Sequence, residues 1–265
     1  MLNFFSTSTI KQFFNEIYHL LKTADSKITE SWHEISEIKI LKSLTLHELR
    51  DFLDKFEFVQ LKKGNYMEYI AIDKIQFVME SMRFLDLDIK QLSRLLDYAG
   101  FELLIKEILL ENDYNVIKNF RFSDKSNFKR ETKQERYEID VIGVKKQDVL
   151  LIDAKHWKNR DIFSSINQAA NLQYQRALAL KKNPETFSKL LQSLLGFNLE
   201  IKKYLPYNLI PMMVTLEDNG IKLNDIQVPL VSISNLNAFL QEIFRFCHLY
   251  RTIRVKKIVL QKRLF

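Results

Sequence analysis

Tyr137 to Gly143 and Leu150 to Trp157 read as two strands of a β-hairpin. The first carries Glu138 and Asp140, the second Asp153 and Lys155. Alternate residues of a strand share a face, so Glu138 and Asp140 form one pair and Asp153 and Lys155 another. A turn centred on Lys146 and Gln147 sets Asp140 across from Asp153, and Glu138 across from Lys155. Carboxylates so opposed stand about 4.5–5.5 Å apart at Cβ and destabilise a sheet unless something compensates them. A hard divalent cation is the natural compensation, because it takes carboxylate oxygens. Lys155 lies one pleat, roughly 6.5 Å, further along, where its ammonium reaches a phosphate or an attacking water. The chemistry that suits this set is metal-assisted cleavage of a phosphodiester.

The plainer account is an exposed sheet face with a Glu138–Lys155 cross-strand pair and a cation near Asp140. Three features weigh against it. Val149 to Ile152 is a continuous apolar run, as in a strand buried on both faces. Asp153 and Lys155 come at its end, where function sits in an α/β sheet. His156, Trp157 and Lys158 add an aromatic ring and cations beside that end.

The elements that must position these residues show in the apolar rhythm. Phe101, Leu104, Ile105, Ile108 and Leu109 mark a helix after a break at Gly100, ending near Asn112. Glu102 sits on the shoulder of that stripe, either as a site acid or as a first-turn acid favoured by the helix dipole. Tyr114 to Phe122 reads as extended. The polar stretch Ser123 to Arg136, with Lys129 and Arg130, is a solvated loop or a phosphate contact beside the hairpin. Helices are expected over Ile162 to Lys181 and Pro184 to Leu195. Buried strands are expected at Pro211 to Leu216 and Val228 to Ile233, followed by a helix capped by Ser234. The order from residue 96 on is that of a layered α/β domain with a mixed sheet flanked by helices. The tail 251–265 alternates basic and apolar residues, as an edge strand or an arm.

Residues 1–90 read as a mainly helical module. Ile10, Phe13, Phe14, Ile17, Leu20 and Leu21 follow helical spacing, and a second helix is expected from Thr29 to Ser43. Thr45-Leu46-His47-Glu48 is a capping box that starts a third helix. Phe56 to Leu61 and Tyr66 to Ile72 read as a hairpin around Lys62-Lys63-Gly64-Asn65, before a helix over Lys74 to Leu85. This order resembles a winged-helix domain. The resemblance implies that the third helix approaches DNA and that Lys62 and Lys63 lie near phosphates. A helical packing or dimerisation module is the alternative, since His47, Glu48, Arg50, Asp51, Asp54 and Lys55 are a mixed set and not a basic reading face.

Residues 96–245 resemble the PD-(D/E)xK nuclease superfamily, most closely its Mrr-like restriction-endonuclease branch. The resemblance is carried by Phe101-Glu102, Leu109 to Tyr114, Glu138-Ile139-Asp140 and Leu151-Ile152-Asp153-Ala154-Lys155. It implies a restriction-endonuclease-like domain over 95–250 that cuts DNA with Mg2+, or with Mn2+ in its place. By resemblance, Asp140, Asp153, the Ala154 carbonyl and Glu102 are metal ligands, and Lys155 orients water and stabilises charge. Lys129, Arg130, Lys158 and Arg160 then contact the DNA backbone. The chain departs from the family in three places. Glu135-Arg136-Tyr137 stands where a glycine-rich stretch is common, Asp153 stands where Glu or Gln is common, and Leu172 stands four residues after Gln168 where Tyr is expected. A catalytically inactive DNA-binding or regulatory protein on the same fold is the rival; a structural protein with a chance hairpin match is a third account.

The whole chain sets the bounds. Its 265 residues allow one large domain or two modest ones, and 46% are hydrophobic, enough for a sizeable core. Forty Lys and Arg against 33 Asp and Glu give a net charge of +7, which favours a polyanionic partner without requiring one. The lone cysteine, Cys247, excludes an intrachain disulfide and any zinc site built from cysteines. No apolar run approaches the ~18 residues of a membrane span, and the N-terminus lacks signal-peptide character. A cytoplasmic protein away from membranes is expected. A homodimer is the simplest way to cut both strands of a duplex.

Overall fold

The amino-terminal elements follow in the order α1 (Thr7–Thr23), β1 (Glu30–Glu34), α2 (Lys39–Lys42), α3 (Leu46–Leu53), β2 (Val59–Lys63), β3 (Glu68–Asp73), α4 (Lys74–Ser81) and α5 (Ile89–Ser93). The computed structural model describes residues 5–64, 67–85, 87–123, 136–156, 163–196, 198–218 and 222–259. Two compact units divide the chain, Met1–Leu104 and Ile105–Phe265. No helix among the described residues is long and apolar enough to cross a membrane.

In the first unit, α1 buries Phe13, Phe14, Ile17 and Leu21, one stripe at helical spacing. Phe13 meets Phe52 of α3 with ring centroids 5.0 Å apart, and Phe14 meets Phe58 at the same distance. The capping box forms as expected: Thr45 N–H donates to Glu48 Oε2 at 2.9 Å, and Glu48 N–H to Thr45 Oγ1 at 3.4 Å. The helix expected from Thr29 to Ser43 does not form. Its first part is β1, an antiparallel partner of β3 with Trp32 opposite Ala71, and only a 3₁₀ turn and α2 remain helical. Pairing with a distant strand has overridden local preference. The β2–β3 hairpin is present, but Lys62 and Lys63 belong to β2, opposite Tyr69 and Glu68, and not to its loop. The sheet order is β1-β3-β2, all antiparallel.

Helix α6 (Tyr98–Glu111) runs across the division between the units. Gly100 lies inside it and does not break it. The helix starts one turn earlier than expected because Asp97 Oδ1 accepts from Gly100 N–H at 2.8 Å, the geometry of a cap.

The second unit continues with β4 (Asn115–Ser123), β5 (Arg136–Lys145), β6 (Asp148–Lys155), α7 (Phe163–Lys182), α8 (Pro184–Leu195), α9 (Asn198–Lys203), β7 (Tyr207–Thr215), β8 (Leu230–Ser232), α10 (Ile233–Phe246) and β9 (Ile253–Val255). These strands make a six-stranded mixed sheet in the order β4-β5-β6-β7-β8, with β9 also on β7. The pairs β4–β5 and β5–β6 are antiparallel, and β6–β7 and β7–β8 are parallel. Between β6 and β7 lie α7, α8 and α9, the helical crossover that parallel neighbours require. The α10 N-cap is Ser232, two residues before the Ser234 expected. Part of the basic tail is sheet, since β9 pairs antiparallel with Tyr207 to Leu209.

Both faces of the β5–β6 hairpin are covered. Ile142, Val144, Val149 and Leu151 join Ala177 and Leu180 of α7 and Phe187 and Leu190 of α8 in one buried cluster. Gly143 points to the other face. A Cβ there would stand 3.2 Å from the Tyr114 ring and 3.3 Å from Leu109 of α6. Glycine is what lets the helix lie this close.

At the turn end, burial pushes the Asp148 carboxyl above its usual range, against the opposing effect of a 2.8 Å hydrogen bond from Asn208 Nδ2. The native state therefore holds this proton to higher pH than the unfolded chain. The cost of ionising Asp148 is absent in acid and is felt once pH rises above the ordinary carboxylate range. Asp148→Asn should raise the urea midpoint at pH 7, and the gain should vanish below about pH 4. Gly143→Val should lower stability by about 1–3 kcal/mol in the same urea titration, through overpacking against Leu109 and Tyr114.

Candidate active site

The hairpin adopts the expected register. Lys145 pairs with Asp148 around a two-residue turn, and the ladder runs through Gly143–Leu150 to Val141–Ile152. Asp140 and Asp153 stand one step beyond its last pair. There the β5–β6 ladder ends. A continued ladder would give the Ala154 N–H to the Ile139 carbonyl. Instead it donates to Asp140 Oδ2 at 2.8 Å, so a side-chain carboxylate takes the place of a backbone acceptor. On the far side of β5, Asn119 has φ 54° and interrupts the β4–β5 pairing opposite Asp140.

On a strand, the N–H and C=O of one residue face the same neighbour. Lys155 faces β7, since its carbonyl accepts from Leu216 N–H at 3.1 Å. Ala154 therefore turns both its groups toward β5, two residues past the last paired position of β6. Asp140 is 8% exposed and Asp153 2%, so both acids are removed from bulk water.

Asp153 continues the parity of Val149 and Leu151 and so points to the face covered by α7. Arg176 of that helix donates to Asp153 Oδ1 at 2.6 Å. Lys155 folds back along its own strand, with Nζ 2.8 Å from Asp153 Oδ2. That contact is an ion pair without hydrogen-bond alignment, and Oδ2 has no hydrogen-bond partner. The expected Glu138–Lys155 juxtaposition is absent. Glu138 instead pairs across β4 with Arg121 at 3.0 Å, on an exposed part of the sheet.

Asp140, Asp153, Ala154 and Lys155 are thus brought to one end of one hairpin. Glu102 is buried on α6, two turns before Leu109, in the other compact unit. Lys62 is half-buried on β2 with Nζ 2.8 Å from Gln60 Oε1, and Lys63 is exposed. Lys129, Arg130, Lys158 and Arg160 lie outside the described residues.

Sequence reasoning missed Arg176 and its neighbour Gln173. A signal was present. Ile166, Ala170, Ala177 and Leu180 form the buried stripe of α7, and Gln173 falls on it, fully buried. A polar side chain on an apolar stripe asks for a partner, and Gln173 Oε1 accepts from Arg176 Nη1 at 2.9 Å. Gln168 is on the exposed side of α7.

A metal ion at this end of the hairpin would need oxygen donors. Among the described residues, no three His, Cys, Asp or Glu side chains gather closely enough to hold one. Mg2+, however, is commonly held by one or two carboxylates with waters and substrate phosphate. Asp140, Asp153 Oδ2, which is ion-paired with Lys155 but has no hydrogen bond, and the Ala154 carbonyl are hard oxygen donors of the kind such an ion takes.

A family model described as a nuclease-related domain (NERD) matches residues 97–209, which contain the whole hairpin and α7. The match is consistent with a PD-(D/E)xK-like nuclease. No curated protein matches the chain. Among solved structures, protein VC1899 from Vibrio cholerae is similar at 13% identity and a TM-score of 0.34, over 92% of this chain and 53% of that one. The chain spans about half the length of that protein.

The Asp140 contact separates shape from charge. Asp140→Asn keeps an oxygen for the Ala154 N–H and should leave urea stability near that of the wild type. Asp140→Ala removes the acceptor and should cost about 1–3 kcal/mol.

Proposed function

We propose that this protein is a metal-dependent DNA endonuclease of the PD-(D/E)xK type, close to the Mrr-like branch. The observation that carries the reading is the pairing of Asp140 and Asp153 at the end of the β5–β6 ladder, with Lys155 on Asp153, inside the segment matched by a nuclease-related domain. Asp140, Asp153 Oδ2 and the Ala154 carbonyl would hold Mg2+ or Mn2+. Such an ion, when bound, lowers the pKa of a coordinated water and stabilises charge on the phosphate and the leaving oxygen. Lys155 would then turn its ammonium from Asp153 to the phosphate and add electrostatic stabilisation. Burial of both acids keeps that field strong by excluding water. Glu102 enters this reading from the family resemblance alone, as do the phosphate contacts of Lys129, Arg130, Lys158 and Arg160.

The first unit supports a winged-helix-like reading. Its order of helix, strand, helix, helix, strand, strand and its β1-β3-β2 sheet resemble that fold. In it α3 would lie toward DNA, with Lys62 and Lys63 of β2 beside phosphates. A homodimer would allow both strands of a duplex to be cut.

One observation favours the rival, a DNA-binding or regulatory protein without catalysis. Asp153 already has two cationic neighbours, Arg176 and Lys155, which compensate it without a metal. Plasmid and branched DNA incubated with Mg2+ or Mn2+ decide between them. The wild type should nick or linearise the DNA, and Asp153→Ala and Lys155→Ala should each slow cleavage by about 10²–10³-fold. Equal cleavage by all three proteins would sink the assignment. Binding without cleavage would give the site to the rival.

A further inference from the structure

We infer that Arg176 is the built-in counter-ion of Asp153, a positioning residue that holds the carboxylate before a metal arrives and sets how tightly the metal is bound. This rests on the metal-dependent reading above. An ionised carboxylate with 2% exposure is costly unless paired and hydrogen-bonded. Its two oxygens are treated differently. Oδ1 accepts a 2.6 Å hydrogen bond from Arg176 Nη1. Oδ2 lies 2.8 Å from Lys155 Nζ but has no hydrogen-bond partner. Oδ1 is therefore committed to the helix, and Oδ2, buried against the Lys155 ammonium, is the oxygen left without a hydrogen bond.

The arginine is itself braced. Its Nη1 also donates to Gln173 Oε1 at 2.9 Å, one turn earlier on α7, and Gln173 is fully buried. Gln173 keeps this contact although its Nε2 is buried with no hydrogen-bond partner. The chain thus spends an unsatisfied amide to aim the guanidinium at Asp153. Arginine keeps its charge at any working pH, so the clamp cannot be released by losing a proton. A divalent cation on Oδ2 would sit one carboxylate away from a fixed positive charge. Repulsion from that charge weakens binding, while the same charge keeps the empty site folded.

Two effects of opposite sign follow from removing the charge, and a merely structural arginine would not give both. Full-length wild type, Arg176→Gln, Arg176→Lys and Gln173→Met are titrated with MnCl2 by calorimetry, and their melting temperatures are read in EDTA. Arg176→Gln should bind Mn2+ about tenfold tighter, since a nearby charge in a partly buried site is worth that much or more. Its melting temperature in EDTA should fall and should recover on adding Mn2+. Arg176→Lys, which keeps a cation, should stay near the wild type in affinity. Gln173→Met frees the arginine without removing it, and should tighten Mn2+ by a smaller factor; it carries the test if Arg176→Gln does not fold. A wild type that binds no Mn2+ overturns the metal reading and this inference together. A wild type that binds, with no tightening in the folded variants, overturns this inference alone.

Discussion

The register of one hairpin decides what every neighbouring element can do. Lys145 pairs with Asp148 around two residues, and Lys146 takes a left-handed φ of 54° to close the turn. A slip of one residue would turn Leu151 and Val149 away from α7 and put them under α6. Gly143, the residue that lets Leu109 and Tyr114 lie close, would lose its place. With both faces of these strands buried, the packing tolerates one register. The acids at the open end inherit their positions from that choice. Their juxtaposition is thus a consequence of core packing and needs no separate attraction between them.

What the packing brings together, electrostatics must then make tolerable. Two carboxylates this removed from water are compensated by different means. Asp140 replaces a backbone acceptor and takes the Ala154 N–H. Asp153 is met by Arg176 and Lys155, from two elements. Breaking a buried pair by removing one partner costs far more than the pair contributes, because a charge is then left alone. Arg176, Gln173 and Asp153 therefore act as one unit, and α7 is tied to the end of β6 by charge as well as by its apolar stripe.

Much of this was legible in the sequence wherever a local pattern had only one partner. The hairpin register followed from two polar residues between alternating strands. The start of α8 followed from Pro184, which sits at its first turn. The capping box at Thr45 needed only its own four residues. What stayed hidden depended on distant partners. Glu30 to Glu34 holds one large apolar residue, Trp32, and it is exposed; nothing local marks it as a strand, and its pairing with β3 makes it one. Lys62 and Lys63 looked like a loop because charge usually marks loops, yet an edge strand accepts lysines that discourage further pairing. Arg176 lies 23 residues from Asp153, and only the fold brings α7 back over β6.

The two ends of the hairpin compensate their carboxylates in different ways. At the turn, Asp148 is answered by the neutral amide of Asn208, and Lys145 donates to the Asn112 carbonyl while lying 3.4 Å from the Asp113 carboxylate. Those contacts close the turn onto neighbouring backbone and leave no carboxylate facing another. At the other end the ladder stops, the Ala154 N–H goes to a side chain, and Asp153 is answered by cations. Neutral amides fill a hydrogen-bonding need and have nothing to exchange for. Cationic compensation is different in kind, because one positive charge can give way to another. On the metal-dependent reading proposed above, the Lys155 ammonium, on a flexible stem and against Asp153 Oδ2, would be the cation that gives way to a metal ion.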